Sequence, residues 1–297
     1  MRTRTILFVF LAVALIGTVL TWSAGSFLTS VSLRPVVLPG DVQAQAVEMQ
    51  TRGQGRVSGS FMRGQGRGGI LLLHGIRGSR LDMLMRARFL NKLGYSVLLI
   101  DLPGHGASPA STMTFGLREA DGVRAALTYL RQRLPQQRIG VIGVSLGAAS
   151  LVLCEACPKV DAVVLESMYP TIQEAVEDRL RMRVGWLAVP ASKLLLWQLP
   201  LRLDISPDQL RPIVRMGELR APVLIVSGSE DMHTTSAETR RIFEAAAEPK
   251  QLWLVTGATH QNLHDFASSE YERKIATFFS HNLLGEDLMQ TAALPAP

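Results

Sequence analysis

The sequence predicts an α/β fold: a doubly wound, mostly parallel sheet with a helical cap inserted before one of its later strands, behind an N-terminal transmembrane helix. Three observations predict it. First, short apolar runs at 70–73, 97–100, 139–142, 162–165, 223–226 and 252–255 alternate with helix-length stretches at 82–93, 117–133, 146–156, 236–247 and 266–281. Runs that are apolar throughout suit strands buried on both faces, and their alternation with helices builds right-handed crossover units. Second, this rhythm breaks once. Between Glu166 and Ala221 no strand pattern occurs; the stretch carries Trp186, Trp197, Arg179, Arg181 and Arg183 and reads as a cap over about 167–212. Third, no charge occurs from Thr5 to Leu33, with Arg2 and Arg4 before it and Arg34 after it.

That first segment, 1–33, is read as a membrane anchor. About 20 apolar residues cross a bilayer, and Trp22 falls where an interfacial aromatic belongs. A cleaved signal peptide is the alternative, with Ser23-Ala24-Gly25 a weak cleavage site and a secreted product as its consequence. If the segment stays, the arginines remain cytoplasmic and the remainder lies outside, periplasmic or extracellular. A tether follows at 34–45, kept extended by Pro35 and Pro39. The main domain is expected over 46–284, with a tail at 285–297. The pentapeptide Arg-Gly-Gln-Gly-Arg occurs at 52–56 and again at 63–67, each time before a strand-like run, so both copies read as hairpin turns.

The chain has 297 residues, 47% hydrophobic and only 19% charged, enough for one large core without a second domain. Its net charge of +6 comes from scattered arginines. No basic run with interleaved aromatics offers a nucleic-acid surface, so no nucleic-acid partner is expected. The two cysteines, Cys154 and Cys157, allow one bridge at most. They close a helical stretch rather than open one, which disfavours a redox pair, and small half-hydrophobic core residues are the expectation. No cluster of His and Cys has metal-ligand spacing, so no metal or cofactor is expected.

The chemistry centres on Gly143-Val144-Ser145-Leu146-Gly147, which directly follows the strand at 139–142 and directly precedes a helix. A serine at such a junction occupies a sharp turn, and flanking glycines let neighbouring backbone close in on it. The hydroxyl then stands above the sheet edge as a nucleophile. It needs a base, and the base needs an orienting carboxylate. Asp231 lies just past the strand at 223–226, and His260 just past the strand at 252–255. Of the other histidines, His74 and His105 precede the serine in glycine turns. His233 follows Asp231 too closely to be oriented by it easily, His264 falls inside a helix start, and His281 falls in the last helix. Glu166, at the end of the strand at 162–165, is the alternative acid. Backbone amides of Leu146 and Ile76 are the candidate oxyanion donors, the latter in the turn His74-Gly75-Ile76-Arg77-Gly78.

With these residues placed, the chain resembles the α/β-hydrolase superfamily, and within it the serine aminopeptidase/monoacylglycerol-lipase-like and membrane-anchored abhydrolase groups. The resemblance covers roughly 46–284 and rests on Leu73-His74-Gly75 with Gly78, Asp101-Leu102-Pro103-Gly104-His105-Gly106-Ala107-Ser108, the serine motif, Glu166-Ser167-Met168-Tyr169, Gly228-Ser229-Glu230-Asp231 and Gly257-Ala258-Thr259-His260. It departs in the short stretch before Ile70, which leaves little room for the family's first hairpin, and in Thr259, where many relatives have glycine. The resemblance implies hydrolysis of an ester, thioester or amide through an acyl-serine; Leu194-Leu195-Leu196-Trp197 and Trp186, beside Arg179–Arg183 in a domain held close to lipid, suggest apolar acyl groups, though the same residues also suit packing of the cap onto the core. A membrane-tethered receptor or scaffold with little turnover is the other class the sequence allows.

Overall fold

In a computed structural model, residues 2–53 and 55–285 are described. The chain opens with helix α1 (Arg2–Leu28) and the short strand β1 (Ser32–Leu33), then β2 (Gln45–Gln50), β3 (Arg56–Met62) and β4 (Gly69–Leu73). Helix α2 (Leu84–Lys92), β5 (Ser96–Ile100), the short β6 (His105–Gly106), α3 (Glu119–Arg133), β7 (Ile139–Val144), α4 (Leu146–Val152) and β8 (Ala162–Glu166) follow. A purely helical interval then holds α5 (Ile172–Val184), α6 (Ala188–Leu196), α7 (Gln198–Leu203) and α8 (Pro212–Arg215). The chain returns through β9 (Val223–Gly228), α9 (Ser236–Ala245), β10 (Lys250–Val255), α10 (Leu263–Phe266) and α11 (Ser268–Phe279).

Eight strands form one sheet in the order β10-β9-β8-β7-β4-β5-β3-β2. The six from β10 to β5 are parallel, whereas β3 runs antiparallel to both β5 and β2. Side chains alternate across it: Leu71 and Leu73 enter one core layer with α3 and α4, while Ile70 and Leu72 enter the other with α2 and α11. Each strand therefore buries both faces, which is why its sequence is apolar without alternation. Burial of each such leucine contributes about 1.5–3 kcal/mol.

Three expectations need correction. The second Arg-Gly-Gln-Gly-Arg copy is not a hairpin turn. It joins β3 to β4, which are not neighbours, because β5 lies between them. Only the first copy spans a hairpin, β2–β3. That hairpin also fills the stretch before Ile70, which is long enough for it after all. Cys154 and Cys157 are bridged to each other rather than packed as core residues; both are half-buried in the loop beyond α4, which ends four residues earlier than its apolar pattern suggests.

The segment at 34–45 is extended, but it does not hold the domain at a distance. Ser32 and Leu33 pair with His105 and Gly106, Arg34 N–H donates to Gly106 O, and Arg34 reaches Ser79 Oγ at 3.1 Å. Arg80 donates to Val36 O at 3.5 Å. Apart from Gly285, the tail expected at 285–297 lies outside the described residues.

Candidate active site

The parallel strands β4, β7, β8, β9 and β10 end on one edge of the sheet, and each predicted site residue follows one of these ends. Ser145 sits between β7 and α4 with φ 49° and ψ −105°, a conformation that side chains with a Cβ rarely adopt. Two glycines make the turn possible. A Cβ at Gly143 would lie 2.7 Å from backbone of Ala148, and one at Gly147 would lie 2.6 Å from Leu73 O. The turn is held from β8, because Ser145 N–H donates to Glu166 O at 2.8 Å.

Across the edge, His260 Nδ1 lies 2.8 Å from Asp231 Oδ2. An ionised carboxylate can only accept, so Nδ1 is the donor, and in the neutral imidazole that tautomer keeps the Nε2 lone pair. The other oxygen of Asp231 accepts from His233 N–H at 2.8 Å and Thr234 N–H at 2.9 Å. Burial alone would raise the Asp231 carboxyl. The hydrogen bond and charge of His260, with those two amides, outweigh burial and hold it below the ordinary carboxylate value. Asp231 therefore stays ionised beside the imidazole. The two loops are fastened together: Ser229 N–H reaches Val255 O, Glu230 N–H reaches Ala258 O, and Gly257 N–H reaches Ser229 Oγ.

The β4 turn closes over the serine. A Cβ on Gly75 would sit 3.9 Å from Ser145 Cβ, so Gly75-Ile76 lies directly beside the nucleophile position. His74, fully buried, sets this turn. Its Nε2 accepts from Leu102 N–H at 3.0 Å and its Nδ1 donates to Gly75 O at 2.7 Å. Burial pushes it down to about 3, so it is neutral and acts as a brace between the β4 and β5 loops. Neither Ile76 N–H nor Leu146 N–H meets an acceptor among the described residues.

Glu166 is not near a histidine partner. Its carboxylate is buried and taken by Arg86, at 3.1 Å through Nε and 2.6 Å through a terminal nitrogen, and by the Tyr271 hydroxyl. Its place at a strand end made it an alternative acid; its side chain turns into the sheet's other layer instead. Among the remaining histidines, His264 is buried and bonded to Glu272 at 3.0 Å. His105 is buried with its Nδ1 3.1 Å from Pro103 O.

His233 is a site residue that sequence spacing undervalued. Its ring lies 4.7 Å from the His260 ring, tilted by 37°. Burial, then the charges of His260 and Arg179, push it down, so it packs against His260 as a neutral ring. Asp-x-His spacing was the available signal, but proximity in sequence argued against orientation by the carboxylate, and the backbone amide of His233 does that bonding instead. Ser145 Oγ and His260 make no hydrogen bond in this geometry; catalytic contacts of this kind often close only around substrate. Among the described residues no three His, Cys, Asp or Glu side chains gather as a metal-ligand set.

A parallel sheet in this order, with a serine elbow at β7 and a carboxylate–histidine pair beyond β9 and β10, defines a class before any comparison is made. The model of the Alpha/beta hydrolase family matches residues 70–274, and the chain belongs to that family. An uncharacterized protein of Mycobacterium tuberculosis is 33% identical over 195 residues, 65% of this chain and 63% of that protein. The match thus spans somewhat less than two thirds of that relative. An uncharacterized protein of Bacillus subtilis is 22% identical over 216 residues, 71% of each chain. Among solved structures, an esterase of Pyrococcus furiosus superposes with a TM-score of 0.68 at 23% identity, covering 84% of this chain and 98% of that one. An alpha/beta hydrolase of Penicillium gives 0.65 at 16% identity, covering 82% and 100%. These structural likenesses show the fold.

Proposed function

We propose that this hydrolase cleaves an acyl ester, thioester or amide with Ser145 as nucleophile, His260 as base and Asp231 as its orienting acid. The observation that carries the reading is the Asp231–His260 pair, Oδ2 to Nδ1 at 2.8 Å, on the same sheet edge as the strained Ser145. Ser145 Oγ attacks the carbonyl carbon while His260 Nε2 takes the hydroxyl proton. The tetrahedral oxyanion is met by the N–H groups of Ile76 and Leu146. Collapse breaks the bond to the leaving group, which takes the proton from His260 and leaves an acyl-Ser145. Water then gives a proton to His260 and attacks the acyl carbon; the second tetrahedral intermediate collapses by breaking the bond to Ser145 Oγ, which takes the proton back from His260 as the acid leaves. No step draws on a cofactor.

The test is covalent. A fluorophosphonate should label Ser145, with labelling abolished in Ser145→Ala and nearly lost in His260→Ala. A folded wild-type protein that stays unlabelled ends the enzyme reading, and a receptor or scaffold of the same fold replaces it. The missing Ser145–His260 hydrogen bond is what keeps that second reading in view.

The finer reading is a lipid-like acyl substrate met at a membrane. Helix Arg4–Leu28 is long and apolar enough to cross one. The Cys154–Cys157 bridge supports an oxidising compartment for the catalytic domain, outside the cytoplasm. The cap supplies apolar surface through Leu194, Trp197 and Trp186. Esters of increasing acyl length test this; preference for acetyl over octanoyl and longer chains would count against it.

A further inference from the structure

The end of α1 is built into the catalytic domain. Gln198 Nε2 donates to Thr21 O at 3.0 Å, and Arg202 donates to Ser26 Oγ at 2.8 Å and to Trp22 O, with its guanidinium 3.7 Å over the Trp22 ring. Gly25 permits the approach: a Cβ there would lie 2.5 Å from Gln198 Oε1 and 2.9 Å from Arg202 Nε. Just beyond, Arg77 donates to Phe27 O at 2.6 Å and covers its ring at 4.4 Å, one residue from the oxyanion-turn residue Ile76. Cap and site mouth are therefore fixed relative to the apolar helix.

That contact sets a depth. From Arg4 to Trp22 an α-helix rises about 27 Å, close to the roughly 30 Å hydrocarbon thickness of a bilayer. Thr21 and Trp22 thus mark the outer interface, and α7 is bonded at that level. On α6 and α7, Leu194, Trp197 and Leu201 recur at helical spacing on one face, while Leu196, Leu199 and Leu203 face the core. Gln198 and Arg202 lie on the flank between the two. The outward residues are 52%, 67% and 63% exposed, and Trp186 at the turn before α6 is 85% exposed. Leu196, Trp197, Pro200 and Leu201, with Lys193 on the rim, line a groove of about 420 Å³. Aromatic and aliphatic tips flanked by a lysine suit the headgroup–acyl boundary.

We propose that this face of the cap is a second membrane contact, seated in the lipid interface beside the anchor, so that the site mouth opens toward the bilayer. The proposal rests on α1 spanning the membrane, and its test separates the two. The full chain has four tryptophans, Trp22, Trp186, Trp197 and Trp253. Four variants, each keeping one with the others changed to Phe, are reconstituted in dioleoylphosphatidylcholine vesicles and in vesicles where acyl-brominated phosphatidylcholine replaces it. Trp186 and Trp197 should be quenched by bromine roughly twofold or more beyond Trp253, with blue-shifted emission. Adding Gly25→Leu to the Trp197 variant should reduce that quenching while Trp22, in its own Gly25→Leu variant, stays quenched. Quenching of Trp22 without Trp186 and Trp197 overturns the cap contact and leaves the anchor. An unquenched Trp22 overturns the span and this proposal with it. Shielding of Trp197 from both bromolipid and aqueous acrylamide would mean that protein covers the face, which also overturns it.

Discussion

At the scale of single residues, two buried carboxylates at or just beyond the ends of neighbouring strands have different partners. Asp231 spends one oxygen on His260 and the other on two amides of its own loop. Glu166 is closed inside an ion pair with Arg86, both side chains almost without exposure. Asp231→Asn should leave the fold intact and lower kcat by about 10⁴-fold, because the amide would fix the wrong tautomer of His260. Glu166→Gln should do the reverse. It leaves a buried guanidinium without its counter-charge, at a cost of about 3 kcal/mol, while the folded fraction keeps its fluorophosphonate labelling. Steady-state kinetics and thermal unfolding of the same two proteins separate these outcomes. Greater loss of kcat in Glu166→Gln would move the acid to β8.

Among elements, the seam between cap helix α5 and core helix α9 carries its own titration. Asp178 on α5 faces Glu238, which caps α9 by bonding Thr235 N–H and Oγ. Burial first, and then the Glu238 charge, push the Asp178 carboxyl up to about 7. The sign follows from proton counting. Near pH 5 the folded protein holds a proton on Asp178 that the unfolded chain has lost, so stability falls as pH rises from about 4 toward 7. Above that range the full penalty of the ionised pair is present. Thermal midpoints measured from acid to mildly alkaline pH should show this decline, and Asp178→Asn should flatten it. An unchanged slope in the variant would assign the decline to other groups.

For the whole molecule, the proposed membrane span raises the question of which side the hydrolase domain faces. Arg2 and Arg4 precede the apolar span and Arg34 alone closely follows it, which favours the start of the chain inside. The Cys154–Cys157 bridge points the same way for the domain. Reporter fusions placed after Gln50 should be active only outside the cytoplasm; activity confined to the cytoplasm would reverse the topology. Because the end of α1 is bonded to both the cap and Arg77 of the β4 turn, such a reversal would carry that turn with it.

The class of fold and the strand-end positions of Ser145, Asp231 and His260 could be read directly from the sequence, because both are local. A short apolar run of four residues between turn signals is too brief for a helix and suits a strand buried on both faces, and a glycine-flanked serine between strand and helix has one economical conformation. The second Arg-Gly-Gln-Gly-Arg turn was misread for the converse reason: whether it closes a hairpin depends on β5, a strand that comes later in the chain. Nothing local distinguishes Glu166 from Asp231 either, since each ends an apolar run. Arg86 and Tyr271, eighty residues before and over a hundred after Glu166, take up its carboxylate. The packing of His233 against His260 and the docking of Gln198 and Arg202 on α1 share this origin, and the Cys154–Cys157 bridge lies beyond the point where α4 stops. Side-chain direction and helix ends are set by packing among distant segments, and only the tertiary structure contains those contacts.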